Sequence, residues 1–255
     1  MFEHFVIKSR LRAAVIHLGV SALIGVTVAA LAMGLWYPWP YRDLSGGLFL
    51  VGLLVVVDVV LGPVLTLVVF KPEKGRKELW LDMSVVVCLQ CLALSYGLWS
   101  LWTARPVQLV YEYGQFGVVR AAEVDPALFP LLPSGVNPLP WNGPRLVALR
   151  PMRGSSEQME ATMLALMGAP LAARVDLWQP YANAQVDVLK TAKPITDFLT
   201  TRPEYKLQVE SLAHQKGVVP RDVRYLPLVV GRQIWTVLIE PLEAGPIGFL
   251  PVDPL

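Results

Sequence analysis

The chain has 255 residues, a formal net charge of +2 and a hydrophobic fraction of 54%. A mean hydropathy of +0.49 is too high for an ordinary water-soluble protein. The apolar excess is confined to residues 1–105, which carry nine Lys/Arg and six Asp/Glu, whereas residues 106–255 carry thirteen and fourteen. The second part is therefore nearly neutral, which argues against the basic face that a nucleic-acid partner requires.

Lys8, Arg10 and Arg12 precede an apolar run over residues 13–36. An α-helix needs about 20 apolar residues to cross the hydrocarbon core of a bilayer. Ala30-Leu31-Ala32 has the form of a signal-peptide cleavage site, but the run is long for a signal core and continues into Gly34-Leu35-Trp36. An uncleaved first span is the favoured reading. Trp36, Tyr37, Trp39 and Tyr41 then form an aromatic cluster of the membrane–water interface, and Pro38 and Pro40 end the helix. A second span is predicted over residues 47–70 and a third over residues 81–102, with Lys71, Lys74, Arg76 and Lys77 in or beside the loop between them. Basic residues before span one and after span two place both in the cytoplasm. Three crossings then carry residues 106–255 to the outer side, the periplasm in a bacterium.

Asp58, near the middle of span two, is the sharpest single feature. A charge at bilayer depth costs at least ~2.5 kcal/mol, so it has a partner or a purpose. Three readings stay open: a satisfied polar group bonded to Thr27 or Gln90, a recognition or switching group, and a catalytic acid. The last lacks a second embedded acid, because Asp82 falls at the cytoplasmic end of span three. Gly62-Pro63 should free a backbone carbonyl about one turn earlier, near Val59, and kink the span close to Asp58. His17, about one turn inside span one, reads as an interfacial hydrogen-bonding residue at a depth that does not match Asp58. Ser21, Gly25 and Ala29 share a face of span one at a spacing that lets helices approach closely, either within this chain or against a foreign helix. Cys88 and Cys91 read as buried packing residues of span three, with neither a disulfide nor a metal implied.

Beyond residue 105 the periodicity changes. Residues 107–113 and 116–121 form a predicted hairpin around Gly114-Gln115, residues 125–144 a Pro/Gly-rich loop, and residues 145–149 a strand. Ser155 or Ser156 would cap a helix to about Met167, with Glu157 in its first turn. Residues 183–199 and 203–215 read as helical, with a break at Pro194. Residues 223–230, 233–240 and 247–250 are strand candidates. Strands at both ends with helices between them give an α+β domain whose terminal strands share one sheet. The expected architecture is thus three transmembrane α-helices in residues 1–105 followed by a single α+β extracytoplasmic domain in residues 106–255. The domain shows no catalytic triad, phosphate loop or metal pattern, and His214, its only histidine, sits in a charged helical stretch. Trp141, Trp178 and Tyr181 are either binding-surface aromatics or core plugs.

Several motifs carry a resemblance. They are Ser9-Arg10-Leu11-Arg12-Ala13-Ala14 with His17-Leu18, Trp36-Tyr37-Pro38, and Asp58-Val59-Val60-Leu61-Gly62-Pro63 with Thr66 and Val69-Phe70-Lys71-Pro72. Leu81-Asp82, Gln90, Ala93-Leu94, Tyr96-Gly97 and Arg105-Pro106-Val107 continue it, and Arg224-Tyr225-Leu226-Pro227-Leu228 is the best later match. On these the chain resembles the TfpX/TfpZ type IV pilin accessory proteins. The resemblance implies an inner-membrane, non-enzymatic protein without a cofactor, working with a particular major pilin and with other pilus-assembly proteins of that membrane. It names no catalytic residues. A periplasmic sensor or ligand-binding protein is the alternative, and an intramembrane enzyme using Asp58 a further one.

Overall fold

The structure is a computed structural model that describes residues 2–71 and 73–254, with side chains from residue 7 onward. Pro72, the end of the Lys71-Pro72 motif, lies outside the described residues. The chain divides into two compact units, Met1–Arg105 and Pro106–Leu255.

The first unit holds three helices long and apolar enough to cross a membrane: span one, Ile7–Trp36; span two, Gly47–Val69; and span three, Arg76–Ala104. Helix one starts at Phe2 and so reaches further back than its apolar run. A bilayer-facing stripe is not needed to keep the basic segment helical, since Lys and Arg are good helix formers. Span three likewise begins at Arg76, leaving a shorter loop than the charge pattern implied. Lys74 in that loop pairs with Asp82, one of the few charges of span three. The segment between spans one and two, expected to be a plain loop, contains a single helical turn, Tyr41–Leu44.

Span two is not a uniform helix. It runs α over Gly47–Val56, π over Val57–Leu61 and α again over Gly62–Val69. The cause is Pro63, which has no N–H and whose ring crowds the preceding turn, so the ladder takes up one extra residue rather than only bending. At the other end of the unit, Tyr37 is fully buried and donates through its hydroxyl to the Leu101 carbonyl at 2.9 Å. Ala32, Tyr37, Val51, Leu54 and Leu101 form one apolar cluster among the three helices.

The second unit is a half-barrel sheet with helices. Its strands are β1 (Pro106–Glu112), β2 (Gln115–Arg120), β3 (Arg145–Leu149), β4 (Trp178–Pro180), β5 (Lys193–Pro194), β6 (Arg224–Val230), β7 (Gln233–Ile239) and β8 (Pro246–Leu250). The order is β4-β3-β1-β2-β6-β7-β8, with β5 added beside β6. The first and last hairpins meet in parallel, Phe116 opposite Leu228, so strands from both ends share one sheet as expected. The β1–β2 turn falls on Tyr113-Gly114, both at positive φ, one residue earlier than predicted. The break at Pro194 separates helices Gln185–Thr191 and Ile195–Thr201.

Two clusters fill the unit. One gathers Val107, Val119, Val147, Leu149, Leu177 and Trp178; the other gathers Ile195, Phe198, Val209, Tyr225, Leu238 and Leu250. Trp178 is 2% exposed, its indole donating to the Ala172 carbonyl at 2.7 Å. Tyr181 is also buried, and its hydroxyl donates to the Ala244 carbonyl. Both are core plugs, and only Trp141 of the three aromatics, 61% exposed, stands at the surface. The helix Ser155–Leu166 begins after Gly154 with no side-chain cap, contrary to the expected serine cap. Glu157 does the end-stabilising work instead. It accepts from the two terminal guanidinium nitrogens of Arg150 at 2.7 and 3.1 Å and from the Arg153 backbone N–H at 2.6 Å.

Candidate functional site

Span two buries one face, on which Val51, Leu54, Asp58, Gly62 and Thr66 recur every three or four residues. Three apolar or small residues and two polar ones thus share a stripe that neighbouring helices must cover. Thr66 is fully buried and donates to the Gly62 carbonyl at 3.0 Å. It lies two turns beyond Asp58 on the same face, a spacing that marks it as a cluster member although a helical Thr alone gives little signal.

Span one brings His17 and Ser21 to that stripe. His17 Nδ1 lies 2.5 Å from Thr66 Oγ1, and its Nε2 lies 2.5 Å from Gln90 Oε1 of span three. Gln90 Nε2 reaches the Ser21 hydroxyl and the Asp58 backbone carbonyl, each at 3.4 Å. The amide nitrogen must face the Asp58 carbonyl, so Oε1 faces His17, and His17 Nε2 is the donor. One glutamine therefore ties the three helices together.

The Asp58 carbonyl has a specific need for that donor. In a π turn the carbonyl of residue i is served by the N–H five residues on, which for Asp58 is Pro63. Pro63 has no N–H. Gln90 supplies from a neighbouring helix what the proline withholds, and a freed carbonyl away from water requires such a neighbour. Gly62 makes room for it: a Cβ there would stand 1.9 Å from Gln90 Nε2 and 3.2 Å from His17 Nε2.

The arrangement corrects several sequence expectations. His17 is a member of the interhelical cluster; it lies level with Gly62, about one turn from Asp58, and the two line one cavity of about 160 Å3. Thr27 is not a partner of Asp58, because it is exposed and its hydroxyl donates to the Leu23 carbonyl of its own helix at 2.8 Å. Gln90 bonds the Asp58 main chain, and the Asp58 carboxyl group makes no hydrogen bond among the described residues. A Cβ on Gly25 of span one would meet Val55 and Val59 at ordinary contact distance, and Ala29 packs on the internal cluster, so the small-residue face closes on this chain's own spans. Cys88 and Cys91 are exposed on span three, and Cys91 borders the smaller cavity. Among the described residues, no cluster of His, Cys, Asp and Glu could hold a metal ion. His214 is exposed on the helix Lys206–Gln215.

Sequence comparison gives this geometry a family. "Fimbrial assembly protein, serogroup I" of Dichelobacter nodosus is 30% identical over 231 residues, covering 87% of this chain and 89% of that protein. The chain belongs to the fimbrial assembly protein family. A second relative, "Fimbrial assembly protein, serogroup E1" of the same organism, is 28% identical over 230 residues, covering 88% of each chain. A third, "Fimbrial assembly protein, serogroups C1 and C2", is 36% identical over 110 residues, which is 42% of this chain and 84% of that protein. The family model "Fimbrial assembly protein FimB" matches residues 5–46, the segment that contributes His17, Ser21 and Tyr37. No solved structure matches the chain.

Proposed function

We propose that this fimbrial assembly protein is an accessory factor, in the manner of a chaperone, for a type IV major pilin. It sits in the bacterial inner membrane, binds the pilin transiently and promotes its stability, its assembly into the pilus or its display at the surface. The near-full-length likeness to a protein named for fimbrial assembly carries this reading. The motifs shared with TfpX/TfpZ accessory proteins, above all the Asp58–Pro63 segment, support its finer form.

The charge pattern supports an orientation with the N-terminus and the basic loop near Lys74 in the cytoplasm and residues 106–255 in the periplasm. A pilin held in the membrane by an apolar helix, with a globular head outside, could then meet both units of this protein. The spans would hold the helix and the outer unit would recognise the head. Binding must be weak enough for the subunit to leave, so its role is holding and release without covalent chemistry.

In-cell photocrosslinking from outer-unit positions and from span one, followed by identification of the captured protein, tests this. The expected capture is the major pilin, lost when residues 106–255 are exchanged for those of a relative. Capture of only the protein itself, or of unrelated proteins, overturns the proposal.

A further inference from the structure

A second and larger cavity opens between spans two and three. Its volume is about 410 Å3, and Leu50, Leu54, Asp58, Ala93, Tyr96 and Gly97 line it. The rim is accessible from outside the helical unit, with Leu53 50% and Tyr96 68% exposed. Ala93, Gly97 and Ser100 follow one another at helical spacing along its span-three wall, where Leu54 of span two already packs against Gly97.

One polar side chain breaks the apolar lining. Asp58 is 6% exposed, lines both this cleft and the smaller cavity shared with His17, and its carboxyl group has no hydrogen bond among the described residues. Neither His17 nor Gln90 supplies one. Both ring nitrogens of His17 are engaged by Thr66 and Gln90, and the Gln90 amide is engaged by Ser21 and the Asp58 main chain. A buried carboxyl group facing an apolar cleft calls for a donor that enters through that cleft.

We infer that the cleft between spans two and three is the seat of the pilin's transmembrane helix, and that this helix places a cationic or hydrogen-bond-donating group against Asp58. This rests on the pilin-accessory reading above and adds which face of the three-helix unit does the holding. The small-residue face of span one is closed on Val55 and Val59 and offers no equivalent seat. A lipid chain fills the cleft's volume but brings no donor to the carboxyl group. A single interhelical hydrogen bond within a membrane is modest in strength, which suits a partner that must depart.

The test uses the full-length protein in its native membrane, with a photocrosslinking residue at Leu53 or Tyr96 on the cleft rim, at Leu23 on the exposed face of span one, and at Trp141 in the outer unit. Crosslinks to the pilin from Leu53 and Tyr96 but not from Leu23 are expected. Asp58→Asn should lower their yield about 3- to 16-fold, the range of one interhelical hydrogen bond. Ala93→Leu, which fills the cleft from an exposed position, should abolish them, with the protein's membrane level unchanged. Pilin capture from Trp141 with none from the cleft overturns the cleft assignment and leaves the accessory role standing. Capture of lipid alone, or of a second copy of this chain, at Leu53 and Tyr96 also overturns it. Failure of pilin capture at every position refutes the accessory role itself. Unchanged yield in Asp58→Asn removes Asp58 from the contact.

Discussion

Gly62→Ala separates a packing glycine from one that keeps a polar network in place. The new methyl carbon would stand 1.9 Å from Gln90 Nε2 and 2.8 Å from its Cδ. Those atoms end a flexible side chain, so Gln90 swings away and the backbone stays put. The cost is then the network: the 2.5 Å contact with His17, the weaker 3.4 Å contacts with Ser21 and the Asp58 carbonyl, and a carbonyl left without a donor. Interhelical hydrogen bonds in membranes average ~0.6 kcal/mol and reach ~1.7, which sets a loss of about 1–2 kcal/mol for one short and two long contacts. A double-mutant cycle with Gln90→Ala reads this directly, from reversible unfolding of the purified full-length protein in bicelles. In the Gln90→Ala background the obstacle is gone, and Gly62→Ala should be neutral or slightly stabilising, because Ala is the better helix former by ~1 kcal/mol. The expected coupling is about 1–2 kcal/mol. Equal cost in both backgrounds would refute the claim that Gly62 exists to admit Gln90.

Gly47→Ala should behave differently. Its methyl would fall 2.3–2.8 Å from ring atoms of the buried Tyr37, which is pinned to the Leu101 carbonyl. A ring held in that way cannot swing aside, so overpacking of about 1–3 kcal/mol is expected in the same unfolding assay, with no rescue by Gln90→Ala. In the second unit, hydrogen bonds from Arg150 and then from the Arg153 N–H hold the Glu157 carboxyl down at about 2, against an ordinary 4.5. A carboxyl group whose folded-state value is depressed stabilises the fold above its unfolded-state value and loses that stabilisation as pH falls. Protection of the helix Ser155–Leu166 in hydrogen exchange should therefore decline from about pH 4.5 towards 2, and Glu157→Gln should flatten the decline. Trp178→Ala removes a buried indole and orphans the Ala172 carbonyl, at an expected cost of about 3–5 kcal/mol. Chemical unfolding followed by exchange at β3 and β4 would show it, and a loss below about 1 kcal/mol would contradict the core assignment.

Long apolar runs and β-type alternation carry their signal locally, so the three helices, the two hairpins and the break at Pro194 are legible in the sequence itself. The residue types of the polar cluster are legible as well: Asp58, Gly62, Gln90 and His17 each stand out in an apolar context. Their grouping is not. Which faces meet depends on the rotation and axial shift of separate helices, and the π turn before Pro63 shifts the stripe in a way that a uniform 3.6-residue period does not convey. The extension of helix one back to Phe2 similarly alters the depth assigned to His17. β4 escapes because three residues are too few to show a period, and Trp178 reads the same in sequence whether it faces a core or a partner. The serine cap fails because Gly154 takes the cap position and both serines fall inside the first turn.

The parallel seam between β2 and β6 has a consequence for how the second unit comes into being. The β1–β2 hairpin can close from neighbouring residues as soon as they emerge, but Phe116 has to wait for Leu228, more than a hundred residues downstream. Pairings of such sequence separation form late, since a long loop must be closed before any contact rewards it. During synthesis the hairpin therefore spends most of the second unit's elongation with one open edge, a template for strands of other molecules. Chains cut short before Arg224 would keep that edge for good, and their fate would be aggregation or proteolysis rather than partial activity.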